Sequence, residues 1–185
     1  PFEGRKIVLQ PGTDVLSCTV STFNTTEMSF NEGGTLVCRF LSRLAWSMDG
    51  GVVELFITGS SNPAHPGFLG RGNFETSWWP PIEPWDYIYL PSGKHANADL
   101  ALALFREGLS VNSAPFAFLS YFKVMNITLS QGRPQINWIN ANLSKLWDSP
   151  AVDRIRELNK SESDIGEYLY RQGRCAVAHA NIKPL

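Results

Sequence analysis

Cysteine is scarce in this chain. Cys18, Cys38 and Cys175 are an odd, widely spaced set, which argues against a disulfide framework and suits a reducing compartment. No two of them stand in the C-x-x-C spacing of a structural zinc site. Charge is thin and balanced: 16 Lys+Arg oppose 17 Asp+Glu, only 18% of residues are charged, and the net charge is -1. That balance excludes a histone-like, wholly basic nucleic-acid binder while leaving room for a local basic site. Apolar windows of about 18 residues are missing, so no membrane partner is expected. A basic stretch leading into an apolar run and a small-residue cleavage site is also missing, so no signal peptide is read and the expected location is cytoplasmic. In that setting the N-x-S/T sequons at Asn24, Asn126, Asn142 and Asn159 are read as fortuitous. The chain has no Gly-rich phosphate loop, G-x-S-x-G or H-E-x-x-H, which leaves nucleotide hydrolase, esterase and zinc-protease chemistry without support. Neither a metal nor a cofactor is expected.

What is present is apolar bulk. Hydrophobic residues make up 43% of the 185 residues, a globular composition. A chain of this length buries roughly 70% of its unfolded surface and needs no covalent staples. Its two halves differ in character. Lys6–Gln10, Leu16–Phe23 and Val52–Thr58 are rich in β-branched and aromatic residues between turn signals and read as strands. Between them, Leu36, Phe40 and Leu44 recur at helical spacing, predicting a helix over 35–48 with Gly33-Gly34 before it and Gly50-Gly51 ending it. Trp78-Trp-Pro-Pro-Ile-Glu-Pro-Trp85 cannot be helical, because its prolines remove donors and fix φ. It reads as an extended connector whose tryptophans pack one half against the other; a tryptophan-lined ligand groove is the alternative.

Beyond Asn97 the pattern is helical. Helices are predicted over 98–109, over 113–129 with Ser113 as N-cap and Pro115 in the first turn, and over 136–147. Asp148-Ser-Pro150 breaks the pattern, a short helix follows at 153–159, and a last one runs over 163–180 with Ser163 as cap. The 113–129 segment is apolar on nearly every side and is expected at the centre of a bundle. The expected class is therefore α+β. A small N-terminal α+β domain covers 1–90, with the Trp/Pro-rich connector at 78–90, and an all-α helical bundle covers 91–185.

Chemistry concentrates in the last helix, where Arg174 precedes His179 with four residues between them. A guanidinium offers a fixed fork of donors to phosphate oxygens. An imidazole titrates near neutrality and can pass a proton to a leaving oxygen or take one from an attacking hydroxyl. Together they suit phosphodiester cleavage, and in RNA the neighbouring 2′-hydroxyl supplies the nucleophile without a metal. On a regular helix the two side chains point about 140° apart and are separated by ~7.5 Å along the axis, so one helix does not present both to one phosphate. Two copies packed across a dimer axis could, with each Arg174 reaching the partner's His179, and Ala176, Ala178 and Ala180 permit close approach. Structural roles compete with this reading: a core histidine and a solvated arginine fit the same spacing. Arg171, Arg174 and Lys183 form a modest basic patch able to hold a phosphate backbone, or simply a solvated helix end. Cys175 and His179, at i,i+4, share a face but find no third ligand nearby in sequence. His65 and His95 fall in loops without obvious partners.

The runs Phe40–Gly51, Ala98–Ser113, Phe116–Lys123 and Leu169–Ala180 resemble the MauJ-type family, named for methylamine-utilisation clusters. The C-terminal half in turn resembles HEPN domains, helical bundles with an R-x(4–6)-H signature. Many of these are metal-independent ribonucleases of toxin and antiphage systems that assemble their site at a dimer interface. The resemblance implies that Arg174 and His179 are the catalytic pair of a homodimeric endoribonuclease acting on RNA; the basic patch adds Arg171 and Lys183 as candidate RNA-binding residues. It also implies a further helix beyond Ala180, and hence a bundle that is C-terminally incomplete. Cys175 stands where such enzymes commonly carry Asn, Asp or His directly after the arginine. This favours the alternative, a non-catalytic HEPN-like RNA- or nucleotide-binding module. An accessory role in amine metabolism is a third reading.

Overall fold

The computed structural model describes residues 2–11, 18–22, 30–52, 90–91 and 95–179. It divides between Ser110 and Val111 into two units, Pro1–Ser110 and Val111–Leu185. The described chain is mostly helical.

In the first unit, Phe2 and Arg5 close a tight turn, with Arg5 N–H donating to the Phe2 carbonyl at 2.9 Å and Phe2 N–H to the Arg5 carbonyl at 2.8 Å. Glu3 and Gly4, the central residues, both have positive φ (48° and 75°), the conformation that favours glycine and pre-twists a hairpin. The turn leads into β1 (Ile7–Pro11), which pairs antiparallel with β2 (Cys18–Thr22), Leu9 opposite Val20. Helix α1 (Phe30–Ser47) begins five residues before the predicted Thr35, and it takes Gly33 and Gly34 inside it rather than in front. Each glycine costs a helix about 1 kcal/mol relative to alanine. The apolar stripe of α1 outweighs that cost: Leu36, Phe40, Leu41 and Leu44 are buried against Phe2, with Ile7, Leu9, Val20 and Val37 packed around them. Phe2 and Phe40 meet edge to face, with centroids 5.4 Å apart. The helix ends where the sequence places the stop, but Asp49 rather than a glycine takes the left-handed position (φ 47°). Gly50 N–H then reaches the Ala45 carbonyl at 3.1 Å and Asp49 N–H the Trp46 carbonyl at 3.4 Å, the paired bonds of a Schellman motif.

Helix α2 (Ala96–Ser110) packs on α1 within this unit. The His95 carbonyl accepts from Ala98 N–H and Asp99 N–H to open it, Trp46 meets Phe105 edge to face at 4.9 Å, and Ser110 Oγ donates to the Val52 carbonyl. The segment predicted as the first helix of the bundle thus belongs to the N-terminal unit. Apart from Val52 and Leu90, the predicted strand 52–58 and the connector 78–90 lie outside the described residues, as does His65.

The regular elements described in the second unit are all helices: α3 (Ala114–Asn126), α4 (Arg133–Asn142) with a 3₁₀ turn at Leu143–Lys145, α5 (Ser149–Leu158), and a final run from Ile165 to His179. Ser113 sits at the N-cap of α3 in extended conformation but makes no side-chain cap bond, and a proline occupies the first turn. Although α3 is apolar nearly all round, its buried residues are Ser120 and Phe122, and Phe116 is 61% exposed. Asp148-Ser-Pro150 does not merely break the preceding helix. Asp148 accepts from Ala151 N–H at 3.2 Å and starts α5 four residues ahead of the predicted Asp153.

Candidate functional site

The final run carries the motif. It opens as α6 (Ile165–Tyr168), capped by Asp164 and not by the predicted Ser163: the Asp164 carboxylate accepts from Glu167 N–H at 2.8 Å. Asn140 of α4 locks this start from both sides. Its Nδ2 donates to Asp164 at 2.7 Å, and its Oδ1 accepts from Gly166 N–H at 2.7 Å. The Asn140 amide, then the Glu167 N–H, hold the Asp164 carboxyl below the ordinary carboxylate range; partial burial opposes them, while Arg133 and Gly166 N–H add to the lowering. A carboxyl depressed on folding contributes stability that is present above its unfolded pKa and lost as pH falls through the folded one. Thermal stability of the protein is therefore expected to fall below about pH 4, and Asp164→Asn should flatten that acid limb. A variant with the parent's full acid sensitivity would show that Asp164 contributes nothing to it.

From Leu169 to Cys175 the run widens into a π-helical turn before α7 (Ala176–His179) restores the α pattern. Such i→i+5 segments are rare and are found mostly as single turns within α-helices, frequently at functional sites. Here the turn contains Arg171 and Arg174. Gly173 lies against the Phe118 ring of α3, where a Cβ would stand 2.7 Å from a ring carbon, and Tyr170 meets Phe122 at 6.3 Å between centroids. The regular 100° per residue used to place Arg174 relative to His179 therefore does not apply through the whole run.

The two arginines have different surroundings. Arg171 is 71% exposed and its Nε is ion-paired with Glu167, whose other oxygen receives Arg133 at 3.4 Å. The Glu167 bond and charge raise its already high pKa. Arg171 also borders an acidic depression of about 330 Å³ lined by Glu162, Asp164, Glu167 and Tyr168. Arg174 is half-buried and has no carboxylate partner among the described residues. Its guanidinium stands 5.6 Å from the Tyr170 ring centroid, and its Nη1 donates to Cys175 Sγ at 3.8 Å. His179 closes α7, with its side chain outside the described part of the structure; Lys183 lies wholly outside it. The sequence reading did not anticipate Tyr170 as the platform under Arg174. The signal available was its i,i+4 spacing to that arginine.

Among the described residues no group of three His, Cys, Asp or Glu side chains could hold a metal ion, and no helix is long and apolar enough to cross a membrane. No curated protein and no solved structure matches the chain. Residues 101–185, which hold both motif positions and the whole of the C-terminal unit, match the family model of the methylamine utilization protein MauJ.

Proposed function

We propose that the C-terminal unit is a HEPN-type, metal-independent endoribonuclease that works as a cytoplasmic homodimer in antiphage or stress defence. The observation that carries this reading is the state of Arg174. It is a half-buried guanidinium held by an aromatic ring and a sulfur, with no carboxylate neutralising it among the described residues, whereas its neighbour Arg171 is paired. A cation kept available in this way suits a phosphate oxygen. Arg174 would clamp the scissile phosphate. His179 would relay the proton as the 2′-oxygen bonds to phosphorus and the 5′-oxygen leaves, giving a 2′,3′-cyclic phosphate and a 5′-hydroxyl. Arg171 and Lys183 would steady the strand, and Arg174 of one copy would act with His179 of the other.

Cleavage of single-stranded RNA by the full chain, in the presence of chelator, tests this. Arg174→Ala and His179→Ala are each expected to lose at least about a hundredfold in rate. An equimolar mixture of the two variants should regain about a quarter of the parental activity, because half of the randomly paired dimers carry one intact composite site. Cleavage by the variants at the parental rate would overturn the reading. A second reading, RNA or nucleotide binding without cleavage, is favoured by the Cys175 sulfur on Arg174 Nη1. It is supported if RNA binds with Arg174 dependence and stays intact.

A further inference from the structure

In the N-terminal unit, remote in sequence from the motif, α1 and α2 enclose a groove of about 430 Å³ whose lining includes Thr35, Cys38, Arg39, Asp99, Ala103 and Arg106. Its volume lies within the range of small-molecule sites. The groove is unusual in its charge. Arg43, almost fully buried, is ion-paired with both Glu3 and Asp99, the latter at 3.1 Å. Arg39 takes the second Glu3 oxygen at 2.7 Å. Two carboxylates are thereby used by two arginines, and no carboxylate among the described residues reaches Arg106. Buried donors on three guanidiniums have no acceptor among the described residues: Nε of Arg39, Nε of Arg43 and Nη1 of Arg106. Buried N–H groups on charged side chains are costly to leave unmade, and two of the three residues concerned, Arg39 and Arg106, line the groove. The cluster carries three cations against two anions, so a negatively charged acceptor also balances the site.

We propose that this groove binds a small molecule bearing a phosphate monoester, with Arg106 and Arg39 as the anion's principal donors. Phosphate presents acceptors on three oxygens and can receive donors arriving from two helices at once, which a carboxylate does less well. The remaining wall mixes small and uncharged polar residues: Asn31, Gly34, Thr35, Cys38, Ser42 and Ala103. A Cβ at Gly34 would meet nothing within 4 Å, so the groove has room beyond the ion itself for a flat group stacked on a guanidinium plane. This inference is independent of the ribonuclease reading and stands or falls with different residues.

Calorimetric titration of the full chain with inorganic phosphate, adenosine 5′-monophosphate and adenosine tests it. The monophosphate is expected to bind most tightly, phosphate more weakly, and adenosine weakest. Arg106→Gln should weaken the monophosphate by on the order of tenfold or more. Ala103→Glu, an exposed helical position in which glutamate is well tolerated, should abolish binding by placing a carboxylate in the groove. Adenosine binding as tightly as its monophosphate, no heat with any probe, or unchanged affinity in both variants would each overturn the proposal. So would displacement of the monophosphate by a 5′-hydroxyl oligoribonucleotide, which would assign the groove to a polynucleotide strand.

Discussion

Gly166→Ala is expected to destabilise the C-terminal unit by about 3 kcal/mol, the upper end of the usual cost of overpacking. Gly166 lies in the first turn of α6, pressed onto α4 so closely that a Cβ would stand 2.5 Å from the Ile136 carbonyl oxygen and 2.8 Å from Asn140 Oδ1. The first obstacle is backbone, in a residue that is itself only 4% exposed, so no side chain can swing aside to admit the methyl group. Moving α6 away would also break the Gly166 N–H bond to Asn140 and disturb the Asp164 cap beside it. Against these losses alanine gains roughly 1 kcal/mol in helix propensity, which is too little to reverse the sign. Urea unfolding measures the difference. A variant as stable as the parent would mean that α6 and α4 are not in contact as described. Because Arg174 is carried by the same helical run, the variant should also lose any Arg174-dependent RNA binding.

Leu44→Ala is expected to cost about 3–4 kcal/mol in the N-terminal unit, within the range for leucine truncation in a packed core. Leu44 is 1% exposed and belongs to the cluster with Phe2, Leu36, Phe40 and Leu41. Its neighbours are held on a helix and by the turn that anchors Glu3 on Arg39 and Arg43, so they cannot collapse into the space left behind. Leu44→Met, which conserves volume, should cost less than about 1.5 kcal/mol. Thermal unfolding of the two variants side by side separates cavity formation from loss of helix. Equal losses would show that shape and not volume governs the site.

The reach of the sequence is clear in α1. Leu36, Phe40 and Leu44 at helical spacing identify both the element and its buried face, and all three are buried as expected. Its start was not legible, because Gly33 and Gly34 read locally as a break while tertiary burial of the stripe carries the helix through them. A similar override moved the cap of the final run from Ser163 to Asp164. Both residue types cap helices, and the choice was made by Asn140, which approaches from α4 and can bond both the carboxylate and the Gly166 N–H. The π turn at Leu169–Cys175 had a faint trace in Gly173, a helix-interior glycine, while the Phe118 ring that lies against that position was not legible.

By itself the sequence determined, in outline, the described helices and the strands β1 and β2, the buried stripe of α1, and that Arg174 and His179 share one helical run, since these follow from local periodicity and residue type. Tertiary structure alone decided that the 96–110 helix packs on α1, that no carboxylate among the described residues reaches Arg174, and that Arg106 is left with an unmet donor in a cleft. Each of these depends on which distant side chain arrives within hydrogen-bonding distance. That is a property of packing in three dimensions and leaves no periodic trace along the chain.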